Sequence, residues 1–210
     1  EGRSQSSINN DAILIRALHA YAMKRDIIGK DYSRYLDIPT VDIKVKKGAL
    51  NDLQLAKLEE LARAGFPGAS EAMVLCYTGL RISEFLSLTP FAYRSEDGGY
   101  LQCGVKSAAG RDRIIPIHPK ISAYVQQWLS VEKGMSSDRY RISVFTPVVE
   151  QLGIPEATPH WCRHTFATMM KRVQGADKDK LELMGHTSTE MLRHYQDASY
   201  DDLRKITDAI

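Results

Sequence analysis

No run of this 210-residue chain approaches the roughly 18 consecutive apolar residues of a membrane-spanning helix, and the opening EGRSQSS has neither the basic nor the apolar segment of a secretory signal. The expected location is the cytoplasm, with no membrane partner. Cysteine is scarce as well. Cys76, Cys103 and Cys162 are an odd number at scattered positions, which argues against a disulfide framework and for reduced structural thiols. Charge of one sign is also lacking: 28 Lys and Arg against 26 Asp and Glu leave +2, too little to announce a nucleic-acid partner by itself. There is no internal repeat or low-complexity tract, and no initiator methionine. Because the chain begins at Glu1, it is expected to be a processed or truncated piece of something longer.

A hydrophobic share of 43% is ordinary for a globular protein, and the length suits one sizeable domain plus a fragment. From about Asn9 to Arg25, Ile13, Ala17, Leu18 and Tyr21 recur at helical spacing, with Asn9, Asn10 and Asp11 as cap candidates. The following stretch, with Gly29, Pro39 and Gly48 amid charge, reads as a linker and puts a boundary near residue 45. Helical patterns resume with Leu53, Leu55, Leu58 and Leu61 behind Asn51 or Asp52, then Ser70 to Tyr77 before Gly79, and Ile82 to Leu88 before Pro90. Three β-like runs, 91–93, 100–105 and 113–117, are separated by turn-rich SEDGG and SAAGRD. Further helices are predicted over 121–132, over 137–152 with a kink or split at Pro147, from Thr158 as cap with Pro159 in the first turn, and over 178–184 up to Gly185. Residues 187–190, TSTE, form a capping box that opens a last segment carrying Tyr195. The fold class expected is mostly α with a small three-stranded antiparallel sheet.

Positive charge gathers locally at Lys44, Lys46 and Lys47, at Arg111 and Arg113, and at Lys171 with Arg172. Such runs are ordinarily solvated faces, and the alternative is contact with DNA phosphates.

Chemistry concentrates in a few short words. In PHWCRH, His160 and Arg163 fall three apart near a helix start, where free amides and a guanidinium with two donor edges suit an anion. An ordinary surface helix with an arginine remains open at this point. His160, Cys162 and His164 do not complete a metal shell, so no metal is expected. Arg81 follows the Gly79 break, and Glu84 lies one turn on, placed to orient the guanidinium or to form a plain structural ion pair. Lys106, at the end of the second β-like run, could serve as a general acid or be one more surface lysine. His186 follows the Gly185 stop, and Tyr195 comes nine residues later. A phenol is a poor nucleophile near neutral pH unless cations or a base help it lose its proton.

The words TGLRISEFLSL, LQCGVKSAAGRDRIIPI, TPHWCRHTFAT and LMGHTSTEMLRHYQ, in this order, resemble the catalytic domain of tyrosine recombinases, the phage and transposon integrase family. The likeness covers about residues 45–210. It implies that residues 1–44 are the end of a core-binding domain plus linker. It further implies that Arg81 and Arg163 clamp a scissile phosphate, Lys106 protonates the departing 5′ oxygen, and His160 assists proton transfer. His186 would bond the phosphate, Tyr195 would attack to leave a 3′ phosphotyrosyl bond, and Glu84 would hold Arg81. No cofactor is implied. The partners would be double-stranded DNA carrying recombination sites, sister subunits in a tetramer linked by exchange of the C-terminal helix with its Leu203, Ile206 and Ile210 face, and accessory DNA-bending proteins. A type IB topoisomerase uses a similar residue set, and a non-catalytic DNA-binding regulator could keep the same fold.

Overall fold

The computed structural model describes residues 5–40, 48–104, 112–131, 134–185 and 200–210. It divides into two units, Glu1–Lys46 and Lys47–Ile210. In the first, α1 (Gln5–Lys24) precedes a single 3₁₀ turn, Tyr32–Tyr35, which Asp31 caps by accepting from the Ser33 amide at 3.0 Å. The expected cap residues Asn9, Asn10 and Asp11 lie inside α1, because the helix has already begun by Gln5. Ala12 is buried, whereas Ile13, Leu14, Leu18 and Tyr21 are exposed.

In the second unit, α2 (Asp52–Arg63) opens with a reciprocal cap. Asn51 Oδ1 accepts from the Gln54 amide, and Gln54 Oε1 accepts from the Asn51 amide, both at 2.9 Å. Next, α3 (Ala69–Thr78) is buried over nearly its whole length, as its run of Ala, Met, Val, Leu, Cys and Tyr requires. It is the central helix. Gly79 ends it at φ +61°, and a Cβ there would sit 2.3 Å from the Phe166 ring, so both the backbone and the packing demand glycine. The short α4 (Ile82–Leu86) follows, and Phe85 stacks on Trp128 with ring centroids 4.3 Å apart.

The sheet is a three-stranded antiparallel meander of β1 (Tyr93–Arg94), β2 (Tyr100–Cys103) and β3 (Arg113–Pro116). Leu101 pairs with Ile115 on the core side, and Cys103 pairs with Arg113. Alternation along β3 therefore puts Arg113 on the same buried face as Ile115.

Beyond the sheet, α5 (Ser122–Ser130) leads to α6 (Ser137–Tyr140) and α7 (Thr146–Gln151). The split expected at Pro147 is a π turn, Arg141–Phe145. A proline cannot donate to the preceding turn, and instead the Thr146 amide and hydroxyl both reach the Arg141 carbonyl, the hydroxyl at 2.8 Å. Then α8 (Pro159–Arg172) crosses α3, with Phe166, Thr165 and Cys162 buried between them. Thr158 occupies the cap position, but its side chain makes no cap hydrogen bond; its carbonyl takes the Trp161 amide instead. The Thr165 hydroxyl accepts from the Leu50 amide at 2.8 Å, tying the segment before α2 onto α8.

Finally α9 (Asp177–Met184) stops at Gly185, and α10 (Tyr200–Asp208) lies on β3 and α9. The Leu203 and Ile206 face, expected to dock on a neighbouring subunit, is buried within its own chain. Tyr200 donates to the Asp97 carbonyl at 3.0 Å, and Arg204 donates to the Ile117 carbonyl at 3.2 Å. All three cysteines are free. Among the described residues no helix is long and apolar enough to cross a membrane, and no group of three or more His, Cys, Asp and Glu could hold a metal.

Candidate active site

Three arginines from three elements gather in one cluster, and two of them, Arg81 and Arg113, share one carboxylate. Arg81 is the cap residue of α4, set in extended backbone by the Gly79 break, so that its own amide is free to donate. Glu84, one turn later, accepts that amide at 2.9 Å through Oε2 and the Arg81 guanidinium at 2.9 Å through Oε1. The i,i+3 spacing alone brings these two together. What the tertiary fold adds is Arg113, whose Nη2 donates to Glu84 Oε2 at 3.1 Å.

Arg163 completes the cluster from α8. Its side chain is almost wholly enclosed and donates to the Gly79 carbonyl at 2.5 Å and to the Met184 carbonyl. These carbonyls belong to the C-terminal ends of α3 and α9, where partial negative charge favours a cation. Arg113 Nη1 reaches the same Met184 carbonyl at 3.4 Å, so Met184 is shared by two guanidinium groups.

The balance of charge is uneven. Three guanidinium groups meet a single carboxylate, and burial with repulsion from Arg81 and Arg113 pushes Arg163 down to about 10. At that value it stays protonated near neutral pH. Burial works against the charge of Glu84, yet the Arg81 amide and the Arg113 and Arg81 guanidinium groups outweigh it and hold the carboxyl below its usual range. Arg81 keeps 27% of its side chain accessible, while Glu84 and Arg113 keep 1% each. An excess of partly desolvated positive charge with one accessible edge at Arg81 suits a small anion such as a phosphodiester.

His160 and His164 lie on α8 with rings 4.6 Å apart, edge to face. His160 is exposed although Arg163, three residues on, is buried, so the two do not share one environment. Lys171 and Arg172 are exposed in the last turn of α8, and Arg172 pairs with Asp52 at 2.6 Å. Lys106, His186, Tyr195, Arg111, Lys44, Lys46 and Lys47 lie outside the described residues, as does the capping box at 187–190.

Arg113, expected beside Arg111 as a contact for DNA phosphates, instead faces inward, because strand alternation turns it toward the core and Glu84 pairs with it there. The signal was present in RIIPI, where Arg113, Ile115 and Ile117 occupy every second position. Nothing in the sequence marked the carbonyls of Gly79 and Met184, which matter only because two helices end beside Arg163.

The fold is thus a mostly helical domain with a short antiparallel meander and an arginine cluster where α3 and α9 end. Residues 54–202 match the phage integrase family, and the chain belongs to that family. It is 25% identical to tyrosine recombinase XerD of Oceanobacillus iheyensis over 97% of this chain and 76% of that protein. It is 26% identical to tyrosine recombinase XerC of Herpetosiphon aurantiacus over 93% and 70%. Among solved structures, the Tn1549 transposon integrase in complex with circular intermediate DNA shares the fold with a TM-score of 0.65 and 24% identity, over 97% of this chain and 78% of that one. A lambda integrase dimer bound to a core site does so with a TM-score of 0.63 and 15% identity, over 90% and 74%.

Proposed function

We propose that this chain is a site-specific DNA recombinase that breaks and rejoins double-stranded DNA through a 3′-phosphotyrosyl bond at Tyr195, in the integration or excision of a mobile element. The observation that carries the reading is the Arg81, Glu84, Arg113 and Arg163 cluster, an anion site with surplus positive charge in a member of the phage integrase family.

In this mechanism the scissile phosphate sits against the accessible edge of Arg81 and the α8 cation Arg163. Tyr195 attacks phosphorus, His160 takes its proton, and the P–O5′ bond breaks as Lys106 protonates the departing oxygen. His186 bonds a non-bridging oxygen. The guanidinium groups stabilise the charge that develops on the phosphorane, and a donor of this kind is worth about 100- to 1000-fold in rate. The phosphodiester energy is held in the phosphotyrosyl bond, so rejoining to a second 5′ hydroxyl proceeds without nucleotide or metal cofactor. Residues 1–44 act as the end of a DNA-embracing domain and linker. Lys44, Lys46, Lys47, Arg111, Lys171 and Arg172 contribute phosphate contacts. Assembly into a tetramer by exchange of α10 requires that helix to leave the seat it holds on its own chain.

The test is incubation with nicked duplexes carrying a site selected in vitro from a random library, followed by denaturing electrophoresis and peptide mapping. A covalent adduct mapping to Tyr195, lost in Tyr195→Phe and unaffected by EDTA, is expected. An adduct that persists in Tyr195→Phe, or one that EDTA abolishes and Mg²⁺ restores, would overturn the mechanism. Junctions between two paired sites would mark a recombinase, whereas relaxation of a single plasmid without a partner site would mark a topoisomerase.

A further inference from the structure

We propose that Arg113 is a positioning residue of the cleavage site, which sets Arg81 through Glu84 and sets Arg163 through the Met184 carbonyl; the inference rests on the reading that those two arginines hold the scissile phosphate.

The geometry is specific. Glu84 Oε2 is shared by the Arg81 amide and Arg113 Nη2, which leaves Oε1 to the Arg81 guanidinium. Arg113 thus fixes the rotation of the carboxylate that aims Arg81. Its other terminal nitrogen reaches the Met184 carbonyl that also receives Arg163. One side chain on β3 therefore touches the supports of both Arg81 and Arg163 without itself reaching solvent.

Stability alone does not account for this choice. Arg113 Nε is buried with no hydrogen-bond partner, a costly arrangement. An apolar residue would continue the inward face of Ile115 and Ile117 at no such cost, and buried ion pairs are commonly no better for stability than apolar residues of similar volume. What an apolar residue cannot do is hold Glu84 and Met184 together.

The experiment compares Arg113→Gln, Arg113→Lys, Arg81→Ala and the Arg81→Ala, Arg113→Gln double variant on the selected nicked duplex, with circular dichroism to follow folding. Arg113→Gln is expected to lower the adduct-forming rate at saturating DNA about 10- to 100-fold, the effect typical of groups that orient ligands of a site, and to leave DNA affinity within about threefold. Arg113→Lys, which keeps the cation but not the fork, falls between. In the Arg81→Ala background the glutamine costs less than it does alone, because the part of its effect that runs through Glu84 is already lost and only the part through Met184 and Arg163 remains. A wild-type rate in folded Arg113→Gln, an effect confined to DNA affinity, or full multiplication with Arg81→Ala would overturn the proposal. If the glutamine variant does not fold, Arg113→Lys decides, since an unchanged rate in that chain also overturns it. Failure of the underlying reading looks different: Arg81→Ala and Tyr195→Phe would then leave adduct formation intact.

Discussion

Removing the Glu84 carboxylate should strongly destabilise this domain. The side chain is 1% exposed and receives three hydrogen bonds, two from guanidinium groups, one of which, on Arg113, is just as enclosed. Glu84→Ala leaves that buried cation without its counter-charge, a loss of about 3 to 5 kcal/mol. For a chain of this size each kcal/mol moves the melting temperature by about 2 to 4 °C, so a fall of about 6 to 20 °C is expected. The pH dependence supplies a second reading. The folded carboxyl is held below its ordinary range, so its contribution is complete above the unfolded value, about 4.3, and is lost as pH falls through the lower folded value. Urea titrations from pH 3.5 to 7 should therefore show wild-type stability declining toward acid more steeply than that of Glu84→Gln. A melting temperature within 2 °C of wild type in Glu84→Ala would refute the argument that this carboxylate balances the cluster.

The packing of α10 and the state of the thiols give two further tests. Leu203→Ala, at a site 1% exposed, should cost about 2 to 5 kcal/mol in urea unfolding, and a change under 0.5 kcal/mol would mean that α10 does not occupy its own chain's surface in solution. Burial pushes the Cys103 thiol up to about 12, and the hydrogen bond with Cys162, together with burial, raises that of Cys76. A thiol reagent should therefore react with fewer than one cysteine per native chain and with three after denaturation, and fast labelling of all three at neutral pH would contradict the packing of α3 on α8.

Much of the domain was legible from local pattern. Asn51 and Gln54 are spaced as a capping box, Gly79 and Gly185 stop helices that cannot continue through positive φ, and Pro147 cannot donate to the turn before it. The Arg81 and Glu84 contact is local too, since Glu84 lies only three positions after Arg81, in the first turn of α4. Pattern failed both at caps and where a distant element intervened. The start of α1 lies before the residues whose side chains suit a cap, and Thr158 stands at a helix start without capping it, because cap preference is weak beside the geometry of the chain on either side. The apolar face of α10 was evident, but not what covers it; β3 and α9 of the same chain do.

The sequence by itself determined most of the described elements, their order and the pairing of Arg81 with Glu84, because each depends on side chains within a few residues of one another, although the expected strand over 91–93 is mostly a 3₁₀ turn, Pro90–Ala92, with β1 beginning at Tyr93. Only the tertiary structure decided that Arg113 faces inward to the same carboxylate and that Arg163 is gripped by the carbonyl ends of two helices. Those contacts join residues 29, 84 and 21 positions apart in the chain. Charge and hydrogen-bond complementarity at such separations exists only once the core has closed around it.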